Sequence, residues 1–145
     1  MSNMIVKRIT LLSFIEKKAR RIEFHPNITI IQGDNHTGKS SVLKSIYWTF
    51  GTEPKKIHPK WKSADVISIV DFRLNETDYS ILRQKDLYAI FDSNGNLVGR
   101  FTKVTSELSP FLSELFNYKV KLMNKDNEAV IPTPAYFFLP YYIDQ

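Results

Sequence analysis

Apolar positions along this chain switch repeatedly between strand-like and helical spacing, and each switch marks an element boundary. Residues 4–12 are rich in Ile, Leu and Val and predict a first strand. Lys17-Lys18 marks a turn, and residues 19–24 predict a second strand. After Pro26-Asn27, the run Ile28-Thr29-Ile30-Ile31 is short, β-branched and almost continuously apolar, the pattern of a strand buried on both faces. Gly33 ends it. From Lys39 the period becomes helical: Val42, Leu43, Ile46, Tyr47 and Phe50 fall on one stripe, and Gly51 supplies a stop. A Pro-containing basic loop is expected over 52–63.

Strand patterns return at 65–74, 79–83, 87–92 and 97–101. In the first of these Val66, Val70, Phe72 and Leu74 share a face with Ser68, so one side is expected to cover a core. Asn75-Glu76-Thr77 and Ser93-Asn94-Gly95-Asn96 suit hairpin connections, because Asn and Gly tolerate positive φ. The block predicts an antiparallel meander. Val104, Leu108, Phe111 and Leu115 then step by four, three and four, which is helical. Ser109-Pro110 interrupts that run and suggests an N-cap followed by Pro at the first helical position, giving two short helices or one kinked one. The tail holds Tyr136, Phe137, Phe138, Tyr141 and Tyr142, and is β-prone up to its last residue. An apolar strand running to the end suggests a piece of something longer, with residues 1–145 forming one lobe.

The junction between the buried strand and the first helix carries the chemistry. Gly33-Asp34-Asn35-His36-Thr37-Gly38-Lys39-Ser40 matches the phosphate-loop pattern G-x-x-x-x-G-K-[ST], in its proper strand–loop–helix setting. Gly33 and Gly38 let the backbone curl so that successive N–H groups face phosphate oxygens. The helix N-terminus adds the positive end of its dipole. Lys39 places an ammonium on the β- and γ-phosphates, Ser40 is the expected Mg²⁺ ligand, and Ser41 reaches toward the α-phosphate. The loop therefore predicts a nucleoside triphosphate ligand, ATP with Mg²⁺.

Composition narrows this only slightly. The 145 residues suffice for one domain with a real core. Apolar residues at 43% and charged residues at 24% are ordinary for a globular protein. No apolar run approaches the ~20 residues needed to span a bilayer. Zero cysteines exclude disulfides and thiolate metal sites and fit a cytoplasmic location, and His25, His36 and His58 are too scattered for a metal cluster. A net charge of +5 is compatible with a polyanionic partner, nucleotide or nucleic acid alike.

The stretch from Ile28 through Ile46 resembles the opening of the SMC-type ATPases, the chromosome-maintenance, break-repair and RecF-like branch of the ABC superfamily. Asn35, Ser41, Val42, Leu43 and Ile46 match beyond the minimal loop pattern, while His36 replaces the glycine usual there. This resemblance implies an α/β phosphate-loop core joined to an antiparallel meander, as the N-terminal lobe of an ABC-type head. Tyr141-Tyr142-Ile143-Asp144-Gln145 is similar to the segment that leads into the family's coiled coil. By that likeness Gln145 would contact Mg²⁺ and the attacking water. The family's Asp-Glu metal site and its signature motif are not found in this sequence; in such proteins both lie in a second lobe. The implied working unit is a head-to-head homodimer with two ATPs between the subunits, acting on DNA in repair, chromosome organisation or defence. This lobe by itself is expected to bind nucleotide weakly and turn it over poorly.

Two basic clusters stand outside the loop. Lys55, Lys56, Lys60 and Lys62 surround Trp61; they suit a phosphodiester backbone with Trp61 stacking, or a solvated loop with Ile57 and Trp61 tucked onto the core. Lys17, Lys18, Arg20 and Arg21 follow the first strand, as a charged hairpin tip or as a nucleotide contact of the kind seen in the family. Two rival functions remain: a self-contained phosphate-loop kinase or GTPase, with Asp71 as the nearest imitation of its metal ligand, and a DNA-binding scaffold with a relic nucleotide site.

Overall fold

A computed structural model describes residues 4–24, 39–53, 59–115, 122–123 and 129–130, with the backbone alone for 39–41, 122–123 and 129–130. The expected strand at 28–31 and the aromatic tail lie outside the described residues. Six strands form one antiparallel sheet: β1 (Met4–Ser13), β2 (Lys18–Glu23), β3 (Ile67–Leu74), β4 (Thr77–Gln84), β5 (Leu87–Phe91) and β6 (Leu97–Phe101). Their order is β2-β1-β3-β4-β5-β6, so the expected meander forms and the first hairpin extends it through β1 against β3. A two-stranded pair, β7 (Leu122–Met123) with β8 (Ala129–Val130), stands apart.

The turns obey the local chemistry. Asn75 and Glu76 both take positive φ, 49° and 72°, and Gly95 takes 79°. At Lys7 a bulge does more than bend β1. Val6 pairs with Phe72, yet Arg8 pairs with Asp71, so the extra residue switches which side chains face the core. Val6 thereby packs against the core, while Arg8 faces the other way, within 3.9 Å of Asp71.

One face of the sheet is dry. Ile9, Val70, Phe72, Ile81, Tyr88 and Ile90 are buried there. Over them lie Ile46 and Tyr47 of α1 (Lys39–Thr49), Phe50 just after it, and Leu108 and Leu112 of the C-terminal helical segment. Phe50 meets Phe72 edge-on with centroids 5.3 Å apart. Each such side chain contributes about 1.5–3 kcal/mol by leaving water. The opposite face bears a polar group in which Asp71 accepts from Ser80 and pairs with Arg8, and Arg73 binds Asp78 at 2.9 Å.

Two expectations need correction. The basic loop is not loop throughout, because Pro59–Ser63 form a short helix, α2, with Pro at its first position. Ser109 is not an N-cap, since its φ and ψ of −61° and −46° are helical. A π-helical turn, Val104–Leu108, runs directly into α3 (Ser109–Leu115) as one continuous element. Its hydrogen bonds reach five residues back, from Leu108 N–H to Lys103 and from Ser109 N–H to Val104. Pro110 has no N–H to give the preceding turn, and the wider turn absorbs the mismatch. The Glu107 carboxylate accepts the Thr102 and Lys103 N–H groups, both at 3.0 Å, and these bonds hold it below the usual glutamate range.

Candidate nucleotide site

α1 begins at Lys39, so Lys39, Ser40 and Ser41 form its first turn. There the backbone N–H groups lack partners within the helix and the dipole is positive. No carboxylate occurs in that turn to repel an anion, and one ammonium and two hydroxyls do. This donor set fits a triphosphate with its magnesium ion. Gly33, Asn35, Thr37 and Gly38 lie outside the described residues, as does Gln145.

The other end of α1 is held by a residue that the sequence reading passed over. Arg83 on β4 is 3% exposed. Its Nη1 donates to the Trp48 carbonyl at 2.6 Å and to the Thr52 carbonyl at 3.4 Å. Nη2 binds Glu53 at 2.6 Å, and Nε binds the Lys85 carbonyl at 2.8 Å. The guanidinium lies 4.2 Å from the Trp48 ring centroid and 4.9 Å from that of Tyr88. A cation here, donating to the Trp48 carbonyl that also accepts from Gly51 N–H at 3.0 Å, complements the negative end of the helix dipole. Burial pushes the Tyr88 hydroxyl up to about 12, with Arg83 acting in the opposite direction. Beside this cluster, the Thr49 hydroxyl donates to the Ser45 carbonyl and lies 2.5 Å from the Ser68 hydroxyl. One signal did exist in the sequence. Tyr79, Ile81 and Arg83 alternate in phase, which puts a guanidinium on the core face.

α2 carries Lys60, Trp61 and Lys62 of the second basic cluster. Trp61 is half-buried and meets Trp48 edge-on, centroids 5.4 Å apart, so its ring packs as the core-tucked reading requires. Lys60 and Lys62 are exposed, while Lys55, Lys56 and Ile57 lie outside the described residues. A cleft of about 600 Å³ between the β1–β2 hairpin and α2 is lined by Lys17, Lys18, Arg20 and Trp61. Of the second cluster, Trp61 thus borders the depression that the hairpin's cations line. Among the described residues, Glu16 is the one carboxylate that lines it.

Asp71, the metal ligand a small kinase or GTPase would need, lies on the sheet face away from α1, bound to Ser80 and paired with Arg8. Among the described residues no group of three or more His, Cys, Asp or Glu could hold a metal, and no helix is long and apolar enough to cross a membrane.

Comparison with known proteins agrees with this picture. The AAA domain model matches residues 10–129. The Lamassu protein LmuB of Bacillus cereus (strain VD014) is 34% identical over 149 aligned positions, covering 100% of this chain and 25% of that protein. The DNA double-strand break repair Rad50 ATPase of Methanocaldococcus jannaschii is 32% identical over 89 positions, 58% of this chain and 9% of that protein. The DNA replication and repair protein RecF of Desulfitobacterium hafniense (strain DSM 10664 / DCB-2) is 33% identical over 55 positions, 38% of this chain and 15% of that protein. The chain spans about a quarter of the length of the LmuB proteins it matches. Phosphate-loop sequence, α/β architecture and these likenesses converge: the chain belongs to the AAA domain family, as an N-terminal lobe of the SMC/RecF-like ATPases.

Proposed function

We propose that this lobe binds Mg-ATP through Gly33, Asn35, Thr37, Gly38, Lys39, Ser40 and Ser41, as one half of a composite site in an ABC-type head. The observation that carries the reading is the start of α1 at Lys39, with a first turn free of acids, inside a chain of this family. Backbone N–H groups and Lys39 would neutralise the triphosphate, and Ser40 would hold the magnesium ion, which would supply further charge neutralisation. Gln145 would stand near the metal and the attacking water. In a complete protein, two heads close on two ATPs and hydrolysis separates them, so that nucleotide state sets the population of the closed form. The relatives' names, DNA repair and DNA replication and repair, support DNA as the macromolecular substrate. Lys60 and Lys62, with Lys55 and Lys56 of the same segment, offer the basic surface for it.

Titration of the chain with Mg-ATP tests the first claim. Lys39→Ala is expected to weaken binding about 100-fold, or about 2.7 kcal/mol; undiminished affinity refutes it. For the second claim, changing Lys55, Lys56, Lys60 and Lys62 to Glu is expected to reduce duplex affinity and flatten its salt dependence. Identical duplex titrations would remove DNA contact from this surface.

A further inference from the structure

We infer that Arg83 is a positioning residue for the triphosphate site, acting through α1 rather than on the ligand; the inference rests on the nucleotide reading above. Among the described side chains of α1, Val42 packs against the core, and the hydrogen-bonded anchors stand toward the C-terminal end. Ile46, Tyr47 and Phe50 are buried, Thr49 meets Ser68, and Arg83 grips the carbonyls of Trp48 and Thr52. The first turn, which carries Lys39 and Ser40, lies at the far end of an 11-residue helix.

Such a helix is about 16 Å long, so a 10° tilt about its C-terminal anchors moves its first turn by about 3 Å. Misplacement of about 1 Å costs on the order of 100-fold where geometry governs binding and reaction. Apolar contacts resist separation well but resist tilting poorly, because they are non-directional. Besides the Thr49–Ser68 hydroxyl pair, a directional restraint comes from the guanidinium, whose planar fork meets the Trp48 carbonyl of the helix, the Thr52 carbonyl just beyond it, the Glu53 carboxylate and the Lys85 carbonyl at once. Tyr88 and Trp48 hold the fork itself, with its carbon 4.9 Å and 4.2 Å from their ring centroids. A lysine would keep the charge and lose the fork.

Glu53 contributes little to this restraint. Its side chain is 68% exposed, against 3% for Arg83, so water can replace it as a partner.

The test compares Mg-ATP affinity with thermal stability in the 145-residue chain, well below the unfolding transition. Arg83→Lys and Arg83→Met are expected to weaken Mg-ATP binding about 10- to 100-fold. Leu112→Ala, on α3, serves as a control for lost stability and is expected to lower Tm while leaving affinity within about twofold. Glu53→Gln is expected to change affinity less than about threefold. Millimolar guanidinium is expected to restore part of the affinity of Arg83→Gly and none of that of Lys39→Ala. Should Arg83→Met fail to fold, the comparison of Arg83→Lys with Leu112→Ala decides. Wild-type affinity in Arg83→Lys, with Lys39→Ala impaired, overturns the positioning role and spares the nucleotide site. Equal affinity losses in Arg83→Lys and Leu112→Ala at matched Tm overturn it too, as mere destabilisation. Intact binding in Lys39→Ala brings down both readings.

Discussion

The two ends of α1 are built by different means. Its first turn takes its character from consecutive residues, Gly38-Lys39-Ser40-Ser41, whose types alone announce an anion site. Its last turn is completed by residues far along the chain: Ser68, 19 positions from Thr49, and Arg83, 35 positions from Trp48. Chemistry that touches a ligand through backbone and neighbouring side chains leaves a compact signature. Chemistry that fixes the direction of an element is distributed, and each of its residues looks ordinary by itself. The difference has an energetic counterpart. The first turn should matter for ligand and hardly for folding, and the last turn for both.

Substitutions at the two ends can break that contrast, and the largest effect belongs to the packed end. Phe50→Ala removes a side chain that is 0% exposed and packed on Phe72, and should cost about 3–5 kcal/mol, lowering Tm by on the order of 10 °C. Calorimetry checks this, and a Tm unchanged from wild type would mean that α1 does not dock as described. At the opposite end Lys39→Ala, with its loss of about 2.7 kcal/mol in ATP binding, should shift Tm by no more than about a degree. A large fall in stability there would erase the division of labour. Thr49→Val leaves the buried Ser68 hydroxyl without its threonine neighbour and should cost about 1–3 kcal/mol by chemical denaturation, with a lesser effect on ATP.

The smallest effect lies on the wet face. Hydrogen bonding from Arg73, followed by that from Lys7, holds the Asp78 carboxyl below its ordinary value of 3.8, against the opposing effect of desolvation. A depressed carboxyl stabilises the fold above its unfolded pKa, and this contribution is lost as pH falls through the folded value. Asp78→Asn should therefore lose a little stability at neutral pH and converge with wild type at the acid end. Curves that stay parallel into acid would show that the Arg73–Asp78 bond carries no linkage.

The same physical split decides how much was legible beforehand. β1, β2, α1 and the four strands of the meander follow from periodicity, and Asn75 and Gly95 mark their turns through backbone freedom. Lys39 and Ser40 stood out in the sequence because a phosphate-loop motif is written in adjacent residues. The bulge at Lys7 was not, since only pairing with β3 reveals that Val6 and Arg8 face opposite ways. Ser109-Pro110 was misjudged because the pair favours a helix start locally, whereas buried Leu108 and Leu112 draw the chain into one continuous helical element. The union of Lys17, Lys18 and Arg20 with α2 depends on two segments meeting in space, which spacing along the chain does not encode.

The Trp48–Trp61 contact has a practical consequence. These are the only tryptophans in the chain, they sit 5.4 Å apart, and Trp48 faces the Arg83 guanidinium. Intrinsic fluorescence excited at the indole band therefore comes from one place, the C-terminal end of the phosphate-loop helix. Emission wavelength and quenching would follow that end without any attached dye, and a titration with nucleotide would record whether events at Lys39 are felt there.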